Sequence, residues 1–131
     1  MLIGELAKRC EVSIDTVRYY EKQGLLSKVQ RAPSGYRVYG KKNLIELAFV
    51  LNAKKLGFTL NEITELLEIR VEKADRHCAE VKQLVEDKQA VVEAKIAELE
   101  KIRQALKTMA EDCCGGDEPA VYCSILEALE N

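Results

Sequence analysis

Between Cys78 and Glu111 the chain holds neither glycine nor proline, and Val85, Val92, Leu99 and Leu106 recur at strict seven-residue intervals. Val81, Ile102 and Met109 fill a companion position three or four residues away, interrupted where Lys88 and Lys95 stand in the same row. That repeat is the seam of a coiled coil. A helix of this kind cannot bury its stripe alone. It must either fold back onto the rest of its own chain or meet a second copy. At 1.5 Å per residue the arm is roughly fifty ångströms long, too long for the small surface the remaining residues can offer. A homodimer is therefore expected.

The rest of the 131 residues has room for only a modest core. Ile3 to Arg9 reads as a short helix with Ile3, Leu6 and Ala7 on one face, and Cys10, Glu11 and Val12 form a turn. Ser13 is placed to cap a second helix running to about Gln23, which Gly24 stops. Two short helices joined by a tight turn, the second carrying Arg18 and two tyrosines, form a helix-turn-helix pattern. Pro33-Ser34-Gly35 is turn chemistry between two short strands, and a hairpin placed here is a wing, decorated by Arg31, Arg37, Tyr36 and Tyr39. Asn43 is expected to cap a third helix through Leu56, which Gly57 ends. Thr59 and Glu62 are spaced as a capping box opening a fourth, with Ile63, Leu66, Leu67 and Ile69 turned to a core. Ser124 to Leu129 makes a last short amphipathic helix.

The fold class expected is mainly α: a winged helix-turn-helix head, a two-helix connector, a long antiparallel coiled-coil dimerisation helix, and a C-terminal metal-binding loop with a short helix. The divisions fall at 1–70 for the head, 71–77 for a linker, 78–111 for the dimerisation helix and 112–131 for the loop and last helix. A net charge of −2 hides an asymmetry. Residues 1–42 hold nine Lys/Arg against four Asp/Glu, whereas residues 77–131 hold six against twelve. One end is suited to approach phosphate and the other is not. No signal peptide and no apolar run long enough for a membrane span is visible, so a cytoplasmic protein with no membrane partner is expected.

Cys113 and Cys114 are adjacent, Cys123 follows at loop-closing distance, and Cys78 stands at the start of the arm beside the lone imidazole, His77. In a reducing compartment these thiols read as ligands rather than disulfides, and a disulfide between neighbours is strained. Thiolates select zinc and its softer relatives. Asp117 and Glu118 add oxygen donors to the loop, while Cys10, in the turn of the head, reads as a small buried hydrophobe. One chain would struggle to bring Cys78 to a loop at the far end of the arm. Two arms running antiparallel would set Cys78 of one subunit against the loop of the other.

The run IGELAKRCEVSIDTVRYYEKQGLL, then SGYRVY, then LGFTLNEITELL, resembles the MerR family of bacterial metal-responsive transcription regulators. HCAE at the start of the arm and the tail CCGGDEPAVYCSILEAL are similar to its zinc-responsive branch. The resemblance implies a dimeric head on double-stranded promoter DNA, across an over-long spacer, and a metal that makes the dimer bend and untwist the duplex so that RNA polymerase can engage. It also implies metal ligands at Cys113, Cys114 and Cys123, with Cys78 from the partner subunit marking a sensor of divalent ions: Zn(II), or Cd(II), Pb(II) or Hg(II). Glu118 departs from the histidine that zinc-branch relatives commonly carry, and His77 is a further candidate ligand.

On the DNA side, Thr16, Arg18 and Tyr19 are expected at the major groove and its flanking phosphates, and Tyr36, Arg37 and Tyr39 at the backbone beneath the wing, with Val17 and Tyr20 packed under the helix. Metal efflux or resistance genes are the implied targets. A redox-sensing member of the family is the nearest rival, set against by the remoteness of Cys78 from the tail. A zinc-dependent thiol enzyme is the rival of another class; one histidine and no nucleophile motif argue against it.

Overall fold

The computed structural model describes residues 1–131, which divide into two units, Met1–Val85 and Glu86–Asn131. The first unit opens with α1 (Ile3–Arg9) and α2 (Ile14–Lys22), followed by a two-stranded antiparallel hairpin of β1 (Gln30–Arg31) and β2 (Arg37–Val38). Gln30 pairs with Val38 and Arg31 with Arg37. Then come α3 (Lys41–Lys55) and α4 (Leu60–Val71), a single 3₁₀ turn at Lys73–Asp75, and the start of α5 (Cys78–Asp112). The second unit holds the rest of α5, a 3₁₀ turn at Ala120–Tyr122 and α6 (Ser124–Glu130).

The core of the head takes one apolar face from each helix: Leu6 and Ala7 from α1, Val17 and Tyr20 from α2, Leu47, Val50 and Ala53 from α3, and Ile63 from α4. Leu25, Leu26 and Phe58 close it from the connecting segments. Three of the four helices end in the same hydrogen-bonded stop. After α2, Gly24 N–H donates to Glu21 C=O and Leu25 N–H to Tyr20 C=O; after α3, Gly57 donates to Lys54 and Phe58 to Ala53. This is the Schellman arrangement, whose turning residue needs a positive φ, and Gly24 (79°) and Gly57 (87°) supply it without steric cost. The helix-turn-helix turn uses the same pair of bonds, Glu11 to Lys8 and Val12 to Ala7, with φ of 56° at Glu11. A side chain there costs about 1–2 kcal/mol, offset in part by the roughly 0.5–1 kcal/mol that glycine loses in unfolded-chain entropy. Glu11→Gly should therefore raise stability by roughly 0.5–1 kcal/mol, read as a higher urea midpoint at fixed protein concentration.

Two capping expectations hold and one changes. Ser13 Oγ accepts from Thr16 N–H at 3.1 Å, and Thr59 with Glu62 forms the reciprocal box, at 3.2 and 2.8 Å. Asn43, however, does not open α3. The helix begins at Lys41 behind Gly40, and Asn43, in its first turn, reaches back so that its Oδ1 accepts from Gly40 N–H at 3.0 Å. The cause is tertiary. Asn43 is buried, and its Nδ2 is drawn to Ser27 C=O at 3.2 Å. Beside it the buried carboxylate of Glu46 accepts from both Ser27 N–H and Ser27 Oγ–H. This polar lock ties α3 to the segment leading into the wing.

α5 is 35 residues long, and none of them is buried. Val85, Val92, Leu99, Ile102 and Leu106 remain 41–63% exposed, so the seven-residue seam is uncovered in the single chain.

Candidate functional site

On the head, α2 presents Arg18 and Tyr19 outward while Val17 and Tyr20 on its opposite face lie in the core. Tyr19 is 48% exposed, its ring set edge-on to Tyr20 at 5.3 Å, and Arg18 beside it is exposed. Thr16 is half-buried, its hydroxyl 2.9 Å from that of the capping Ser13, so it supports the start of the helix as well as facing outward. The wing tip carries Tyr36, exposed, and Arg31, whose guanidinium donates to Gly35 C=O at 3.0 Å. An open cleft of about 870 Å³ runs between α2 and the wing, with Arg18, Glu21, Arg31, Tyr36 and Arg37 in its lining.

Two wing residues stand differently from expectation. Tyr39 is 1% exposed and belongs to the core, its hydroxyl donating to Glu21 Oε1 at 3.3 Å. Its main chain exchanges two 2.7 Å hydrogen bonds with Met1, which holds the ring inward. Burial, and then the Glu21 carboxylate, push its phenol above the usual tyrosine range. Arg37 is half-exposed and pairs with the same carboxylate at 2.9 Å. Glu21 thus fastens the wing to α2. Sequence reasoning missed it, since an acidic residue on a basic head carries no local signal of such a partner.

The thiols fall into three groups. Cys78 is the first residue of α5 and exposed; His77, just before it, lends its main-chain N–H to Glu80 at 3.0 Å. In the loop, Cys113 and Cys123 approach to 4.0 Å, Sγ to Sγ, while Cys114 turns away and donates to Glu118 Oε2 at 3.1 Å. Cys123 sits at the start of α6, where the N–H groups of Leu126 and then Ile125 hold its thiol below the ordinary range. Glu118 is likewise lowered, first by the Cys114 thiol. Cys10, half-buried, has its thiol pushed up by burial, as befits a packed side chain.

Two sulfurs 4.0 Å apart subtend an angle of about 120° at an ion bonded at the usual zinc–sulfur distance of about 2.3 Å. The pair therefore fits a common soft ion without rearrangement. No three His, Cys, Asp or Glu side chains converge on one point. The pair alone would make an incomplete shell, and Cys114 and Glu118 beside it are already bonded to one another. The cleft they line, of about 410 Å³, also takes in Tyr122 and Pro119.

Comparison with known proteins matches residues 2–39 to the MerR family regulatory protein domain and residues 44–109 to the MerR DNA-binding domain. The chain is 46% identical to the HTH-type transcriptional regulator ZntR of Escherichia coli K12, over 98% of its own length and 91% of that protein's. The chain belongs to the MerR family. Among solved structures, the transcription regulator PbrR691 of Ralstonia metallidurans CH34, in complex with lead(II), superposes with a TM-score of 0.86 at 33% identity, covering 98% of each chain. HiNmlR, a MerR family regulator lacking the sensor domain and bound to promoter DNA, matches at a TM-score of 0.60 and 28% identity, covering 85% of this chain and 83% of that one. The protein is thus a DNA-binding transcriptional regulator of the MerR family, with the winged head and long helix of its relatives. No helix is long and apolar enough to cross a membrane.

Proposed function

We propose that this MerR regulator is a metal-responsive activator that acts as a homodimer. Two copies bind one promoter, and Zn(II), or a related soft divalent ion such as Cd(II), Pb(II) or Hg(II), is clasped between Cys113 and Cys123 of one subunit and Cys78 of the other, with Cys114 and Glu118 as further donors. The observation that carries this reading is the thiol pair at 4.0 Å, an incomplete shell in a chain whose exposed Cys78 thiol opens the uncovered helix. The lead(II) complex of PbrR691 supports a soft cation, and the promoter complex of HiNmlR supports duplex DNA as the partner of the head.

Arg18 and Tyr19 on α2, with Tyr36 and Arg31 on the wing, reach phosphate and groove. Thr16 contributes from the first turn of α2, whereas Arg37 and Tyr39 act mainly by bracing the wing through Glu21. Few of these side chains can read base edges, so specificity rests on half-site spacing and on how readily the duplex deforms. Metal need only favour one dimer conformation over the other to shift the population toward the one in which the distorted promoter suits RNA polymerase, and metal efflux or resistance genes are the targets that suit such a response.

Transcription in vitro from an over-long-spacer promoter, titrated with buffered metals, tests this. Zinc or a softer divalent ion should raise transcript yield, and magnesium and calcium, which prefer oxygen donors, should not. A regulator indifferent to every soft divalent ion would sink the reading.

A further inference from the structure

The joint between α4 and α5 is built around one guanidinium. Arg76 Nη1 donates to Glu72 Oε2 at 2.8 Å, and Glu72 is the residue that caps the end of α4. Arg76 Nε donates to both oxygens of Glu80, at 3.0 and 2.9 Å, in the first turn of α5. The Glu80 carboxylate also accepts from His77 N–H, which fixes the start of the helix as a capping-box glutamate does. Arg76 is therefore bonded to both sides of the joint at once. Cys78 lies between its two anchors in sequence, on the turn that Glu80 caps. Below the guanidinium a small cleft is lined by Ile69 of α4 with Ala79 and Leu84 of α5.

Exposed ion pairs usually contribute little to stability. What this one can contribute is direction. The segment Glu72–His77 is a 3₁₀ turn followed by the extended Arg76, with no glycine or proline. A side chain that binds the cap of one helix and the first turn of the next removes the rotation between them that such a segment would otherwise allow. A thiol meant to complete a shell in another subunit gains from a fixed bearing, since every freedom left to it is lost on binding.

We propose that Arg76 is a positioning residue for metal capture, fixing through Glu72 and Glu80 the direction in which Cys78 is presented from the start of α5. This rests on the reading that Cys78 is a metal ligand. Removing a direct hydrogen-bond partner of a metal ligand costs about 10–100-fold in affinity. Arg76 touches no ligand and reaches Cys78 only through the Glu80 cap on the neighbouring His77, so Arg76→Ala should weaken zinc binding by less, about five- to tenfold, measured in the full-length protein by competition with a chromophoric chelator. Affinity of the metal-free protein for promoter DNA should not change. Arg76→Lys, which can reach one carboxylate but not fork between two, should fall between. Glu72→Gln leaves the α5 cap untouched and should also weaken zinc, which keeps the question open to test if Arg76→Ala fails to fold.

The decisive comparison is the double variant. If Arg76 works through Cys78, Arg76→Ala adds nothing to the zinc defect of Cys78→Ser. Wild-type zinc affinity in folded Arg76→Ala or Glu72→Gln, a further loss in the double variant, or a parallel loss of DNA affinity would each overturn the proposal. A wild-type protein that binds no zinc, cadmium, lead or mercury would instead sink the functional reading on which it stands.

Discussion

Cys78→Ser is expected to bind promoter DNA as the unaltered protein does, while zinc no longer raises transcription above the metal-free level. The substitution is local. Cys78 is exposed at the first position of α5, its thiol is free, and it is replaced by a residue well suited to a helix start. The core that holds α2 and the wing draws no residue from α5, so the DNA-reading surface has no reason to change. The metal shell does. A hydroxyl is a hard donor with a pKa far too high to ionise, and the donors that remain, the Cys113–Cys123 pair with Cys114 and Glu118, all belong to one subunit's loop, where the last two are already bonded to one another. The fall in zinc affinity should exceed the roughly 10–100-fold that follows loss of an outer partner of a ligand. The larger effect is on coupling. An ion held within one subunit's loop has no differential hold on the dimer's two conformations, and without that difference it shifts nothing. Fluorescence anisotropy with the promoter duplex and run-off transcription with buffered zinc measure the two halves separately. Full activation by the variant would remove Cys78 from the site.

Leu99→Glu should separate the proposed dimer. Leu99 lies midway along the seven-residue row and is 63% exposed in the single chain, so its burial must come from outside it. Burying a leucine contributes about 1.5–3 kcal/mol, and a symmetric dimer loses two of them. The introduced carboxylates would each have to be desolvated in the seam as well. A loss of 4 kcal/mol or more corresponds to roughly a thousandfold weaker self-association. Glutamate is a good helix former, so α5 should keep its circular-dichroism signal while sedimentation moves toward the monomer. DNA binding should then fall steeply, because two tethered heads on two half-sites bind far more tightly than either alone. A variant that sediments as the unaltered protein would mean that the seam serves another purpose.

Both expectations draw on a feature visible in the sequence and one that is not. The seam, the start of α5 at Cys78, the caps at Ser13 and Thr59 and the hairpin around Pro33-Ser34-Gly35 were all legible, because each is written in residues within a few positions of one another. Asn43 was misplaced because its pull comes from Ser27, sixteen residues away. Tyr39 was assigned to the DNA face because it follows a strand of only two residues, too short for a pattern to tell which side is covered. The loop was half legible. Its three cysteines marked it as a thiol site, but spacing alone does not say that Cys113 pairs with Cys123 while Cys114 turns to Glu118.

The sequence by itself determined the helices, most of their ends, the basic head and acidic arm, and the supply of thiols, since periodicity, capping chemistry and charge act over one or two turns of chain. Only the tertiary structure decided that Glu21 gathers Tyr39 and Arg37, that Glu46 is buried against Ser27, and that Arg76 spans the joint before the arm. These are polar contacts between separate elements. Their partners are chosen by which faces the packed core leaves adjacent, and a burial pattern fixed in three dimensions has no one-dimensional period to read.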